Sequence, residues 1–272
     1  MELEQNKDEF RKLGLGLAGV SYDSEAVLHT FAERKSIHFT LLSDPSSKTI
    51  RELGILNETV AKTEPTFGIP YPGSFVLDSK GVIVAKYFED DYRQRYTGTD
   101  LLMHQFGVIP AQAKSDVEGK QLNLTAAASN AVVTVGQRVA LTLDIQLKPG
   151  IHVYAPGVEG YIPIDWSMKE SEAAAAHEVI FPKSQMLNLP AIGETVPTYT
   201  DSFRLTRDVT IGATDKVKPL ADGSGRFTLE GTLRYQACDD RICYIPQNLP
   251  VKWTLQFQDL DRQRVPAELQ RK

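Results

Sequence analysis

The spacing of apolar residues changes once along this 272-residue chain, and the change divides the chain into two halves. Residues 1–108 alternate between strand and helix patterns: a buried strand at 15–21 precedes a helix capped by Asp23 and Ser24, and a hairpin follows at 74–87. From Val117 onward, apolar residues recur at every second position between turn residues, with almost no helical signal. The pattern predicts an α/β sheet followed by an all-β sandwich.

The domain boundaries follow from this change in period. We expect an α/β domain over residues 1–108, a linker over 109–116, a β-sandwich over 117–260 and a C-terminal tail over 261–272. Both tryptophans, Trp166 and Trp253, fall in the second half, where we expect them in the core. The segments of the second half that read as strands are residues 132–135, 139–147, 151–154, 227–235 and 249–257.

Composition excludes several classes of function. The net charge of −5 and the pI of about 5.6 argue against nucleic-acid binding, because phosphate backbones attract basic surfaces. No stretch approaches the roughly 20 apolar residues that a membrane-spanning helix needs. The polar first residues do not resemble a signal peptide. The 42% hydrophobic content suffices for two packed cores.

Cys238 and Cys243, the two cysteines of the chain, lie in the segment CDDRIC. The polar turn between two strand patterns predicts a hairpin whose sulfurs are close enough to bridge. A disulfide that closes so small a loop stabilises the fold modestly, which weakens the purely structural explanation, but a structural staple is the commonest fate of such a pair in an exported domain and stays open beside a redox-active pair. Two thiolates supply half of a tetrahedral zinc site and the nearest histidine in sequence is His177, so we predict neither a metal nor a cofactor.

The first half resembles the thioredoxin-like redoxins and peroxiredoxins of the AhpC/TSA type. The resemblance rests on GVSYDSEAVLHTFAERKSIHFTLLSDPSSKTIRELGI (residues 19–55) and PGSFVLDSKGVIVAKY (residues 72–87). It implies a thioredoxin-like fold in which Pro72 is a cis-proline that packs against the active-site cysteine. The residues alone leave equally open a trans proline at the start of an edge strand. No cysteine precedes Cys238, so the expected domain lacks its first strand and its active-site cysteine turn.

The second half resembles the N-terminal periplasmic domain of the DsbD family of thiol:disulfide interchange proteins. The resemblance rests on YQACDDRICYIPQ (residues 235–247) and LKPGIHVYAPG (residues 147–157). It implies an immunoglobulin-like fold and a redox-active pair in which Cys243 forms mixed disulfides and Cys238 resolves them. It also implies a shielding loop at 194–200 that carries Tyr199, and a strand with His152 and Tyr154 facing the pair. Ordinary packing at the edge of a sandwich explains those two side chains equally well.

The function predicted from these features is thiol–disulfide exchange through Cys238 and Cys243, which relays electrons as a protein-disulfide reductase would. The resemblance implies thioredoxin-like or Dsb-type thiol proteins as partners and a periplasmic or otherwise exported location. One alternative is a peroxiredoxin-type antioxidant activity of a full-length first domain. The other is a non-enzymatic β-sandwich binding module with a structural disulfide.

Overall fold

The computed structural model describes residues 2–64, 67–89, 91, 93–108, 114–189, 193–261 and 263–269. The chain divides into two compact units, residues 1–106 with 260–272, and residues 107–259. Among the described residues, no helix has the length and apolar character that crossing a membrane requires.

The first unit combines short helices with strands, most of which pair two by two. β1 and β2 form a parallel pair, and β3 and β4 form an antiparallel hairpin, and with the helices between them they give the α/β class that the sequence predicts. The elements are α1 (Glu2–Gln5), α2 (Lys7–Lys12), β1 (Ala18–Ser21), α3 (Glu25–Lys35), β2 (Thr40–Ser43), α4 (Lys48–Glu52), β3 (Gly73–Leu77), β4 (Ile83–Phe88), β5 (Arg95–Tyr96) and α5 (Gly98–Phe106).

Short polar side chains set the ends of these elements. The Ser24 side chain accepts a hydrogen bond from the Val27 amide at 3.4 Å, which confirms the predicted start of α3. Asp78 organises the β3–β4 turn by accepting from the Lys80 and Val82 amides, both at 2.9 Å. The predicted hairpin is therefore confirmed.

The Tyr71–Pro72 peptide bond is trans, so the predicted cis-proline is wrong. Pro72 immediately precedes β3, whose described ladder partner is β4 alone. A proline at the start of such a strand removes no ladder hydrogen bond, so an ordinary trans bond is accommodated there. The alternative that the residues left open is the one that the structure adopts.

Two predicted boundaries also differ from the structure. Residues 114–116, assigned to the linker, belong to β6 and pair with β7, while residues 109–113 lie outside the described residues. The predicted tail groups with the first unit. Asp261 forms ion pairs with Arg34, at 3.7 Å, and with Lys35, and the Arg34 guanidinium donates to the Gln263 carbonyl oxygen at 3.1 Å. These contacts attach residues 261 and 263 to α3.

The second unit is built almost entirely from strands. Its elements are β6 (Lys114–Glu118), β7 (Leu122–Ala128), β8 (Val132–Val133), β9 (Gln137–Leu147), β10 (His152–Tyr154), β11 (Asp165–Met168), β12 (Ala174–Ile180), β13 (Gln185–Leu189), β14 (Glu194–Thr200), β15 (Ser202–Ile211), α6 (Thr214–Val217), a 3₁₀ turn (Lys218–Leu220), β16 (Arg226–Tyr235), β17 (Ala237–Cys238) and β18 (Gln247–Phe257). The long strands predicted from period two are confirmed at β9, β16 and β18.

Three sheets enclose the core of the second unit. Their strand orders are β13-β14-β10-β17, β11-β16-β18-β8 and β12-β15-β9-β7-β6, and all pairs are antiparallel except β18 with β8. Trp166 and Trp253 stack in the core with ring centroids 5.3 Å apart, as predicted. The Trp253 indole N–H donates to the Ala127 carbonyl oxygen at 3.0 Å and ties β18 to β7. The second half is therefore the all-β sandwich that the sequence predicts.

Candidate functional site

Cys238 and Cys243 are joined by a disulfide at the edge of the sheet β13-β14-β10-β17, where β17 is the edge strand. Cys238 ends β17, and the two cysteines form an isolated antiparallel bridge with their Cα atoms 4.0 Å apart. The predicted adjacency across a hairpin is confirmed. Cys243 precedes β18 by several residues, so it lies in the connecting segment and does not open the next strand.

Asp239 holds the turn between the two cysteines. Its carboxylate accepts hydrogen bonds from the amides of Arg241 and Ile242, both at 2.8 Å, and from the Tyr244 hydroxyl at 2.8 Å. These bonds, with that of the Ile242 amide foremost, lower the pKa of the Asp239 carboxyl group because they favour its charged form. The ionised side chain of Asp239 thus holds the conformation of the turn between the two cysteines through these hydrogen bonds.

The two sulfur-bearing residues differ sharply in exposure. Cys238 is only 1% exposed, whereas Cys243 is exposed. The apolar side chains of Ile242 and Ile245 beside Cys243 are 56% and 81% exposed. Cys238 is therefore the more enclosed of the pair. A molecule in solution therefore meets the disulfide from the side of Cys243, next to two exposed isoleucines.

Tyr154 contacts Cys243, the exposed cysteine, from the buried side of the pair. It lies on β10, is almost fully buried, and places its hydroxyl oxygen 3.6 Å from the Cys243 sulfur. Burial raises the pKa of the Tyr154 phenol, so the hydroxyl keeps its proton at neutral pH and can donate a hydrogen bond. The sequence placed Tyr154 near the pair, and the structure brings it into contact with the sulfur.

His152 lies on the same face of β10 as Tyr154. Antiparallel pairing sets His152 opposite Cys238, and its ring meets the Tyr154 ring edge-on with centroids 5.6 Å apart. The intervening residue, Val153, points the other way and packs into the main core of the sandwich. Strand alternation therefore presents a histidine and a tyrosine to the cysteine pair from a single three-residue strand.

Tyr161 is a site residue that the sequence reasoning missed. Its ring stacks on that of Tyr154 with centroids 4.3 Å apart, and its hydroxyl donates to the Glu194 carboxylate at 2.7 Å. That hydrogen bond is the largest of the effects that raise the pKa of Tyr161 to about 12. Tyr161 lies in the connection between β10 and β11, where no periodic pattern marks it. The aromatic residue that covers Tyr154 is thus Tyr161.

Tyr199 does not occupy the shielding loop predicted for it. Residues 194–200 form β14, and Tyr199 pairs with Val153 on the core face of the sheet. Its ring stacks on Phe203 with centroids 4.5 Å apart, and its hydroxyl donates to the Pro182 carbonyl oxygen at 2.9 Å. The placement is wrong because β14 continues the sheet, and alternation turns Tyr199 to the face away from Cys238. Pro72 belongs to the first unit, whereas Cys238 and Cys243 belong to the second.

Comparison with known proteins finds two families, one in each half. Residues 1–86 match the AhpC/TSA family, and residues 120–253 match the N-terminal part of the thiol:disulfide interchange protein DsbD. Peroxiredoxin Bcp of Escherichia coli K12 is 33% identical over 95 residues, which are 34% of this chain and 56% of that protein. The chloroplastic peroxiredoxin Q of Triticum aestivum is 30% identical over 99 residues, 36% of this chain and 42% of that protein. The chain spans about half the length of the curated relatives it matches.

Two solved structures are also similar. The N-terminal periplasmic domain of ScsB from Proteus mirabilis has a TM-score of 0.39 at 15% identity, covering 57% of this chain and 54% of that one. The reduced DsbD N-terminal domain of Neisseria meningitidis has a TM-score of 0.27 at 11% identity, covering 55% of this chain and 97% of that one. The two family matches support a thiol redox role. The chain therefore joins a thioredoxin-like region that is similar to the AhpC/TSA family to a mostly-β domain that is similar to the N-terminal domain of DsbD.

Proposed function

We propose that the second unit performs thiol–disulfide exchange through Cys238 and Cys243 and so relays electrons between thiol proteins. The observation that carries the proposal is the asymmetry of the pair: an exposed Cys243 is bonded to a buried Cys238. Exchange requires one sulfur that a partner can reach and a second sulfur close enough to attack the first and release the partner. We therefore assign contact with partners to Cys243 and the resolving role to Cys238.

The chemistry runs through a mixed disulfide in either direction. When the pair is oxidised, a partner thiolate attacks the Cys243 sulfur, a new partner–Cys243 bond forms, and Cys238 leaves as a thiolate. When the pair is reduced, the Cys243 thiolate attacks a partner disulfide. Cys238 then attacks Cys243, restores the internal disulfide and releases the partner as a thiolate. The Tyr154 hydroxyl lies 3.6 Å from the Cys243 sulfur, so it can donate a hydrogen bond to the Cys243 thiolate of the reduced pair.

The proposed partners are thioredoxin-like or Dsb-type thiol proteins in the periplasm or another exported compartment. The match of residues 120–253 to the DsbD N-terminal family supports this choice. The exposed Ile242 and Ile245 support it further, because an apolar rim beside a reactive sulfur favours contact with a protein surface.

The test is a trapping experiment with matched variants. Cys238→Ser leaves Cys243 without a resolving thiol, so it is expected to accumulate a mixed disulfide with a thioredoxin-like protein whose single remaining active-site cysteine carries a thionitrobenzoate group, which departs as the mixed disulfide forms. Cys243→Ser retains only the buried sulfur and is expected to trap little. Non-reducing gels measure both. Equal trapping by the two variants contradicts the assignment of roles, and trapping by neither points to a structural staple.

A reduction potential separates exchange from the staple independently. Structural disulfides lie below about −300 mV, whereas exchange-active ones lie higher. We expect the Cys238–Cys243 pair above that limit. Equilibration against glutathione or thioredoxin buffers gives the value, and a potential below the limit favours the binding-module alternative.

The second candidate function, peroxide reduction, follows from the similarity of residues 1–86 to peroxiredoxins. A peroxiredoxin attacks peroxide with a thiolate, and the two cysteines of this chain both lie beyond that region, at positions 238 and 243. We expect the purified chain to consume hydrogen peroxide no faster than its Cys238→Ser/Cys243→Ser double variant does. Faster consumption by the unmodified chain supports peroxide chemistry at this pair.

A further inference from the structure

The imidazole of His152 is buried beside the cysteine pair with one nitrogen unpartnered. The side chain is 5% exposed, and its Nε2 atom has no hydrogen-bond partner among the residues that the structure describes. Its register partner across the β10–β17 ladder is Cys238. Buried polar atoms in native proteins are nearly always paired, so an unpaired one requires an explanation.

The redox state of Cys238 supplies that explanation. In the disulfide, the Cys238 sulfur carries no hydrogen and offers Nε2 no donor. Reduction gives Cys238 an S–H group, and directly opposed side chains in an antiparallel pair have Cβ atoms about 5 Å apart. Reduction therefore places an S–H donor on the residue directly opposite His152.

We propose that His152 is the base that removes the proton of Cys238 in the resolving step, an inference that rests on the exchange function proposed above. The Cys238 thiol gives its proton to Nε2, and the resulting thiolate attacks the Cys243 sulfur of the mixed disulfide. The Cys243–partner bond breaks as the Cys238–Cys243 bond forms. The partner leaves as a thiolate and takes up the proton that the imidazolium ion returns.

The groups around His152 favour this role. Burial is the main effect on its pKa and lowers it, which keeps the imidazole neutral and able to accept a proton near pH 7. The Asp239 carboxylate, just beyond β17, acts in the opposite direction and stabilises the imidazolium once it forms. On its own strand the ring meets Tyr154, and its register partner on β14 is Thr200, which does not titrate.

Neither neighbouring ionisable group can replace His152 as the base. The pKa of Tyr154 is raised by burial, so its hydroxyl is protonated and can only donate to a thiolate. The Asp239 carboxylate already accepts from two turn amides and from the Tyr244 hydroxyl, which lower its pKa and make it a weak base. The free lone pair of a neutral imidazole therefore belongs to His152 alone among these three groups.

The test follows the resolving step with a small disulfide. The reduced protein is mixed with dithiobis(nitrobenzoate); Cys243 releases the first thionitrobenzoate, and attack by Cys238 releases the second. We expect His152→Gln to slow the second release at neutral pH at least about tenfold, because a free thiol with a pKa of about 8.5 is only a few per cent ionised at that pH, and to make its rate rise with pH as a free thiol titrates. An unchanged rate and pH profile overturns the proposal.

His177→Gln is the matched control. His177 is half-buried and burial lowers its pKa too, but its Nε2 is hydrogen-bonded to the Thr210 hydroxyl at 2.8 Å. The control variant is expected to keep the unmodified rate. An equal slowing in both histidine variants also contradicts the specific role of His152.

A measurement on the unmodified chain covers the case in which His152→Gln fails to fold. Nitrogen NMR of the histidine rings, recorded in both redox states, is expected to show a shift of the His152 Nε2 resonance on reduction and none for His177. An Nε2 resonance that is the same in both states overturns the proposal. The exchange function and the role of His152 as a base can be refuted separately. If Cys238→Ser traps a partner but His152→Gln keeps the unmodified resolving rate, only the role of His152 is refuted. If no partner is trapped, the exchange function is refuted.

Discussion

Reduction of the disulfide is expected to leave the second unit folded, because the bond contributes only modestly to stability. The cysteines are five positions apart in sequence. Closing a loop of about six residues lowers the entropy of the unfolded chain by roughly 7 cal/mol/K, which amounts to about 2 kcal/mol at 25 °C. The stacked tryptophans and the buried leucines belong to the main core, whereas Cys238 packs in a separate small cluster with Tyr154 and Val196. A protein that cycles between the two redox states needs a small difference in the free energy of unfolding between its oxidised and reduced forms, so that it stays folded in both.

Tryptophan fluorescence can follow this unit by itself. Trp166 and Trp253, the two tryptophans of the chain, both belong to it. With a urea m-value of about 2 kcal/mol/M, the loss of about 2 kcal/mol moves the unfolding midpoint down by about 1 M when a reductant is added. The Cys238→Ser/Cys243→Ser variant, unfolded without reductant, is the control and is expected to match the reduced protein.

The reasoning is refuted by either of two outcomes. A drop larger than about 4 kcal/mol on reduction exceeds what the loop-closure relation allows and marks the bond as a structural staple. The absence of a cooperative fluorescence transition in the reduced protein would likewise mark the bond as a structural staple.

Three further results are expected. Leu143→Ala, at a fully buried core position, lowers the free energy of unfolding by about 3 kcal/mol in urea titrations, whereas Ile245→Ala at an exposed position changes it by less than about 0.5 kcal/mol; equal losses contradict the assignment of the core. Hydrogen bonds from two lysines lower the pKa of Glu230 to about 2, so its contribution to stability is present above the unfolded pKa of about 4.3 and is lost as pH falls towards 2; Glu230→Gln should flatten that acid decline, and an unchanged slope speaks against it. Tyr154→Phe removes the hydroxyl near Cys243 and raises the pKa of that thiol by about one unit, measured by alkylation rate against pH in a Cys238→Ser background; an identical pH profile shows that the hydroxyl does not stabilise the thiolate.

The parts of the fold that the sequence predicts well are those set by local pattern. β16 and β18 are long antiparallel strands that bury every second side chain over most of their length, so period two reveals them. Residues 114–116, the first part of β6, fall in the predicted linker because nearly all side chains of this strand are exposed, which leaves an edge strand without an apolar alternation. Its membership of the sheet depends on backbone pairing with β7, which side-chain patterns do not report.

The candidate site divides in the same way. The closeness of Cys238 and Cys243 is a property of one short turn and is visible in the sequence. The positions of Tyr161 and Tyr199 depend on contacts between segments far apart in the chain: Tyr161 reaches Tyr154 from a connection, and Tyr199 is turned to the core by its pairing with Val153. The burial of His152 against Cys238 likewise arises from strand pairing across about 86 residues, which no local motif encodes.

The side chains of β10 alternate between the cysteine pair and the core, and this has a consequence for protein engineering. His152 and Tyr154 face the disulfide while Val153 anchors the same three residues in the sandwich core. The CDDRIC hairpin grafted alone onto another scaffold would therefore carry the sulfurs without the imidazole and the phenol beside them. A successful transplant would have to include β10, in the same register, and a core that accepts Val153 on the reverse side.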